Sequence, residues 1–259
     1  VMQSRQNPGV AACASMNSVL ASSAKIVNNA ELRMASRQRG TLMYKLYNVK
    51  AWGSLAIHCL LEELEVPYTN IWMTGDQVRA PDFLAISPLG QIPALGLADG
   101  RSLFESAAIV SFLVVAHPER GLSPKPGSGD FGEFLSWLHF MSTNLYMTNN
   151  IAFGSSIYAS DPAQDAFITA RASERADTYW RLLEQRLADE GPWLMGKTFS
   201  ALDIYCFMLS IWGRPSEAEL HARFPGIAAL AAEVRTRPKL KAVLAAHGVL
   251  DLGGYPPSA

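Results

Sequence analysis

Residues 87–106, SPLGQIPALGLADGRSLFES, constrain what this chain can fold into more than any other stretch. Ile92-Pro93 stands where a strand should open. A proline has no N–H to give a ladder, so in a sheet it sits at a strand's first residue, an edge or a bulge. A cis bond there turns the backbone of Ile92 outward and leaves its N–H and C=O for a ligand, whereas a trans bond makes it an ordinary loop. Asp99-Gly100 is a tight-turn pair between two short runs, 94–97 and 101–104, and predicts a hairpin. Glu105-Ser106 follow at once, directly before an apolar helix over 107–116. Helix N-termini carry unpaired N–H groups and a partial positive charge, so they attract carboxylates. Taken one by one, these signals also fit a loop and a helix cap. Taken in order, they place a backbone edge, a carboxylate and an anion pocket in one segment, which suits a small zwitterionic peptide.

Composition narrows the classes. The chain has 259 residues, 49% of them hydrophobic and 17% charged, with a net charge of −1. That profile fits one large or two modest globular domains and argues against a nucleic-acid partner or a disordered chain. No apolar run reaches the ~18 residues of a membrane-spanning helix. Cys13, Cys59 and Cys206 are odd in number and far apart, which gives no disulfide framework or metal site and fits a reducing, cytoplasmic setting. Residues 1–42 differ from the rest: Arg5, Lys25, Arg33, Arg37 and Arg39 face one acid, Glu31. This stretch reads as a disordered extension with a faint likeness to a transit peptide, and the folded unit is expected to start near Met43.

From there the pattern is βαβ, a short helical turn, then ββα. Residues 45–49 form a strand candidate. Ser54 is a good N-cap for LAIHCLLEEL, in which Ile57, Leu60, Leu61 and Leu64 share a face. Residues 68–73 read as a strand parallel to the first across that helix. Residues 74–81 read as polar loop and 82–86 as a helical turn. After the apolar helix, residues 117–130 are punctuated by Pro118, Pro124, Pro126 and three glycines, the clearest linker signal in the chain. All that follows reads as helix: 131–153, rich in aromatics; 163–189, charged and amphipathic; 201–212, apolar and buried; then 224–235 and 240–246, with a tail from 251. Ser200 and Asp203 form a capping box at the start of the buried helix.

This architecture resembles the glutathione transferase superfamily. The resemblance rests on SPLGQIPAL with Pro93, the pair Glu105-Ser106 before a helix and the box at Ser200 and Asp203, and it spans roughly residues 43–250. In LYNVKAWGSLAIH and DFLAISPLGQIPAL the chain is most similar to the bacterial beta-type classes. The resemblance implies an α/β thioredoxin-like N-terminal domain over 43–118, a linker over 119–130 and an all-α helical bundle over 131–250. It implies glutathione as co-substrate and no metal. The backbone of Ile92, beside a cis Pro93, would pair with the cysteinyl part, and Glu105 and Ser106 would hold the γ-glutamyl end; Gln91 would touch the tripeptide and Arg79 the glycine carboxylate. It further implies a homodimer.

The chemistry needs a thiolate, and a free thiol is mostly protonated at neutral pH. The family places a Tyr, Ser or Cys near the first helix for this. Here Asn48 stands where the beta-type pattern has a tyrosine, and Gly53 where it has a cysteine, so Ser54 becomes the candidate donor. A single hydroxyl either caps the helix or serves the thiolate. Asn48 offers an amide donor as well. Tyr146 occupies the region where the beta-type has a histidine and would donate to the sulfur, line the substrate site or pack. Trp52, Trp137 and Tyr146 are the candidates for the wall of a hydrophobic electrophile site. His58 and Cys59 read as packed residues. Three functions follow: transfer of glutathione to an electrophile, glutathione-dependent reduction of a disulfide, and a low-turnover binding protein on the same fold.

Overall fold

The computed structural model describes residues 43–159, 161–253 and 255, so the expectation for residues 1–42 lies outside the described residues. The N-terminal part is a four-stranded sheet in the order β2-β1-β3-β4, from β1 (Tyr44–Asn48), β2 (Tyr68–Trp72), β3 (Ala94–Gly96) and β4 (Ser102–Leu103). β1 and β2 are parallel, with Tyr44 opposite Tyr68 and Asn48 opposite Trp72. β3 runs antiparallel to β1 and to β4, with Leu46 opposite Leu95 and Leu95 opposite Leu103. A parallel pair requires a crossover, and α1 (Ser54–Leu64) supplies it. Glu65, in the left-handed region at φ 53°, ends that helix. The hairpin at Asp99-Gly100 forms as the turn pair predicts, with Gly100 at φ 86°.

α1 is buried nearly all round, because the sheet lies on one side and three helices on the others. These are α4 (Ser106–Ala116), α8 (Ala201–Ser210) and α11 (Lys241–His247). An apolar helix with no wet face fits only inside such a sandwich. The bundle consists of α5 (Gly129–Phe140), a π-helical turn at Met141–Tyr146, α6 (Met147–Phe153), α7 (Asp165–Glu190), α8, α9 (Glu217–Arg223), α10 (Pro225–Thr236) and α11. α8 is its axis, and every residue from Ala201 to Ser210 is buried. Its capping box forms: the Ser200 hydroxyl accepts from the Leu202 N–H at 3.3 Å, and the Asp203 carboxylate accepts the Ser200 N–H at 2.8 Å. Asp203 also accepts the Leu194 N–H at 2.8 Å, so one buried carboxylate ties two segments.

Four expectations need correction. Gly53, not Ser54, is the N-cap of α1, and Ser54 is its first helical residue. The stretch read as polar loop holds a short helix, α2 (Gly75–Val78), closed by a capping box of Thr74 and Gln77; the turn after it is α3 (Pro81–Leu84). The long aromatic helix runs on to Phe153 but widens to a π turn at Met141–Tyr146. α9 follows a Ser216 cap and falls where no helix was expected.

Candidate active site

Two elements of the opening stretch come together as expected. Ile92-Pro93 is cis, and Glu105 stands directly before α4. Glu105 adopts φ 67° and ψ 109°, a region that costs a non-glycine residue on the order of 1 kcal/mol. Its side chain is thereby turned onto a cavity of about 310 Å³ lined by Ser87, Gln91, Ile92, Pro93, Glu105 and Ser106 from the sheet side. Trp52 comes from the loop between β1 and α1, and Ser142, Tyr146, Met147 and Asn150 from the bundle. Glu105 is the one charged side chain among the described residues that line it.

Beneath the floor runs a chain of hydroxyls. Ser106 Oγ lies 2.7 Å from Tyr205 Oη, and the Ser142 hydroxyl is near enough to influence Tyr205. Burial pushes Tyr205 up to about 12, although both serine hydroxyls pull it down. Tyr205 therefore keeps its proton at neutral pH. Either hydroxyl of the Ser106–Tyr205 pair can donate, and when Tyr205 donates the Ser106 proton is free for the cavity.

Tyr146 closes the cavity from above. A Cβ on Gly53 would overlap the Tyr146 hydroxyl oxygen and would stand 3.1 Å from its Cζ. With Tyr146 in this position, its phenol oxygen takes the space that a side chain at position 53 would fill. Burial raises the Tyr146 pKa, and the neighbouring Tyr205, Glu105 and Tyr255 raise it further. The group remains a donor at any working pH. The π turn ends at Tyr146, and Ser142 and Tyr146, four residues apart, both reach the cavity.

Several sequence candidates fall elsewhere. Ser54 is fully buried; its hydroxyl accepts the Val49 N–H at 3.1 Å and donates to the Val49 carbonyl at 3.2 Å. Both capacities are used in closing the turn before α1, so this hydroxyl does not reach the cavity. Asn48 is fully buried too. Its amide donates to Asn70 Oδ1 at 2.9 Å and lies 3.1 Å from His58 Nδ1, behind the site. Arg79 is the exposed C-cap residue of α2 and does not line the cavity. Trp137 packs edge-on against Phe140 under the Arg186 guanidinium and likewise does not line it. Cys59 and Cys206 are buried, and burial pushes both thiols up, so neither acts as a nucleophile. Sequence reasoning missed Ser87, Phe104, Ser142, Met147, Asn150 and Tyr205. Tyr205 had a signal: it is a polar group inside an otherwise apolar, buried run. Among the described residues no group of three or more His, Cys, Asp or Glu could hold a metal ion, and no helix is long and apolar enough to cross a membrane.

Comparison with known proteins agrees with this architecture. The chain matches the family "Glutathione S-transferase, N-terminal domain" over residues 54–114 and "Glutathione S-transferase, C-terminal domain" over residues 150–247. It is 28% identical over 208 residues to "Glutathione S-transferase GstA" of Escherichia coli O157:H7, which covers 79% of this chain and 99% of that protein. It is 30% identical over 208 residues to "Disulfide-bond oxidoreductase YfcG" of Escherichia coli (strain K12), covering 76% and 92% respectively. A sphingomonad glutathione S-transferase solved in complex with glutathione superposes with a TM-score of 0.68 at 29% identity, covering 79% of this chain and 99% of that one.

Proposed function

The chain belongs to the glutathione S-transferase family, and from that premise we propose that its cavity binds glutathione and delivers the sulfur, as a thiolate, to an electrophilic carbon of a hydrophobic second substrate. The observation that carries this reading is one cavity lined by Ile92, Pro93, Glu105, Ser106 and the Tyr146 hydroxyl. Glu105 pairs with the γ-glutamyl ammonium, and Ser106 with the N–H groups of α4 holds the γ-glutamyl carboxylate. The backbone of Ile92 takes the cysteinyl part, and Gln91 lies beside it. Trp52, Phe104 and Met147 form the apolar wall for the electrophile.

Tyr146, rather than Ser54 or Asn48, is the donor to the sulfur. In the reaction the thiol proton leaves to water, a carbon–sulfur bond forms, and a halide departs or an adjacent carbon takes up a proton. Tyr146 keeps its own proton throughout and donates to the sulfur lone pair. A hydrogen bond to a charged group contributes about 1.5–3 kcal/mol, which lowers a thiol pKa by roughly 1–2 units. Tyr146→Phe is therefore expected to raise the pKa of bound glutathione by that amount, read from thiolate absorbance in the ultraviolet. An unchanged pKa removes Tyr146 from the role, and failure of the purified protein to be retained on immobilised glutathione removes the whole reading.

A second reading is favoured by the 30% identity to a disulfide-bond oxidoreductase. In it two glutathione thiols are oxidised to glutathione disulfide while the substrate disulfide is reduced to two thiols. Glutathione-dependent turnover of a small disulfide that contains no glutathione, such as bis(2-hydroxyethyl) disulfide, without turnover of an aryl halide selects it over the transfer reaction. The family reading extends to a homodimer, which sedimentation tests, and to a cytoplasmic setting.

A further inference from the structure

Loop residues 49–53 carry Trp52 to the cavity and Gly53 under the Tyr146 hydroxyl, yet this loop is held from behind by the far end of the chain. The Ala51 N–H donates to His247 Nδ1 at 2.9 Å, and the Trp212 indole N–H donates to the Ala51 carbonyl at 2.8 Å. Both ends of one residue's backbone are thus gripped by side chains from the bundle, one at the end of α11 and one just after α8. Ala51 sits at φ 55°, a conformation unfavourable for a residue with a Cβ, so the grip holds a turn that the local sequence does not favour. Trp212 also meets Tyr146 edge-on at 5.1 Å, which joins the loop's anchor to the donor hydroxyl.

The protons in this cluster can be placed. A backbone N–H only donates, so His247 Nδ1 must accept, and the neutral ring then carries its proton on Nε2. His247 Nε2 lies 3.0 Å from His58 Nδ1, so that nitrogen accepts in turn and His58 carries its proton on Nε2. Both rings are buried, His247 fully. One direction of donation runs from Ala51 through His247 to His58, and any extra proton on the facing nitrogens breaks it.

We propose that His247 is a positioning residue for the cavity: by accepting the Ala51 amide it fixes the turn that aims Trp52 into the cavity wall and brings Gly53 against the Tyr146 hydroxyl. The proposal rests on the glutathione reading for its consequence in turnover, but not for the clamp itself. His247→Leu removes the acceptor. His247→Asn restores one, because the asparagine Oδ1 stands close to where Nδ1 stood. The experiment measures three things on the full chain: kcat and KM with glutathione and an aryl halide, acrylamide quenching of Trp52 isolated by difference from Trp52→Phe, and the nitrogen-15 spectrum of the histidines in the wild type. The expected result is a drop in kcat/KM on the order of tenfold for His247→Leu, with more accessible Trp52, and recovery to within about threefold in His247→Asn. Wild-type spectra should show His247 protonated on Nε2 alone.

His247→Leu with wild-type turnover and quenching overturns the proposal. So do equal losses in the Leu and Asn variants, since packing rather than the acceptor would then be responsible, and so does a proton on His247 Nδ1. If His247→Leu does not fold, Trp212→Phe frees the other end of Ala51, and unchanged Trp52 quenching there counts against the clamp. If the wild type binds no glutathione, the functional reading fails separately, and the quenching and nitrogen-15 results still decide the clamp.

Discussion

Lowering the pH from 7 to 5 tests the buried histidine pair without a mutation. Burial holds His58 down to about 4, from an ordinary 6.5. Burial, then His58, then Lys50 hold His247 down to about 3. The groups that face the pair are Asn48 and Asn70 from the sheet, Tyr68 with its partner Glu62, Trp72 and Lys50, and none of them is a carboxylate bonded to either ring. In the unfolded chain both rings titrate near 6.5, so between that value and the folded ones the unfolded state binds more protons. Stability is full above pH 6.5 and falls as the pH drops through the window towards 4 and 3. At pH 5 each ring contributes a loss of about 2 kcal/mol relative to pH 7, so the pair loses about 4 kcal/mol. Asp203 works in the opposite direction: burial pushes it up to about 6, so its protonation in the folded state returns about 1 kcal/mol over the same interval. The net loss from these three groups is about 3 kcal/mol, a large part of an ordinary domain's stability. Urea unfolding at both pH values in wild type and in His247→Asn is the assay. The variant has one titrating ring fewer and should lose roughly half as much through the pair as the wild type. Equal pH dependence in the two proteins would refute the reasoning, as would a wild-type midpoint that does not move.

Three further outcomes follow from side chains whose positions differ in consequence. Ser54→Ala should cost on the order of 1–2 kcal/mol of stability, read by urea unfolding, because the Val49 N–H and C=O lose their buried partner, while kcat stays at the wild-type value. Glu105→Gly should abolish retention on immobilised glutathione without lowering the thermal midpoint, since glycine relieves the backbone at φ 67°. Tyr205→Phe breaks the hydroxyl chain behind Ser106, and steady-state kinetics should show KM for glutathione rising about tenfold with kcat little changed.

The sheet, the hairpin, the cis-proline segment and the buried helix after Ser200 were all legible, because each is written in local chemistry: a proline at a strand start, an Asp-Gly pair, a capping box, an apolar run. The short helix after Thr74 was not, although Thr-Gly-Asp-Gln carries a capping signature, because a single turn has no periodicity to set it apart from polar loop. Trp137 and Tyr146 do not share a wall. Trp137 packs against Phe140 and Arg186 while Tyr146 lines the cavity, and the π turn between them shifts the facing that sequence spacing alone would give. Ser54 was different in kind. A serine at the first turn of a helix looks the same whether its hydroxyl faces a ligand or the preceding loop, and only the path of residues 49–53 decides. The Tyr146 hydroxyl over Gly53 and the His247 grip on Ala51 join residues far apart in sequence, and a contact across such a distance leaves no local trace.

Those long-range contacts explain why the cavity belongs to the whole chain rather than to its thioredoxin-like part. Ser106 bonds to Tyr205, Ala51 to His247 and Trp212, and Glu63, almost wholly buried, takes the Arg237 guanidinium. Each pair sets a group from the sheet half against one from the bundle, and in each at least one partner is buried. Leaving one such buried group unpaired costs about 1–3 kcal/mol, and more for the charged Glu63. α1 adds to this, since removing the bundle would expose the face now covered by α8 and α11. The two halves therefore hold the cavity together: the sheet half supplies Ile92, Glu105 and Ser106 to its lining, and the bundle supplies Ser142 and Tyr146.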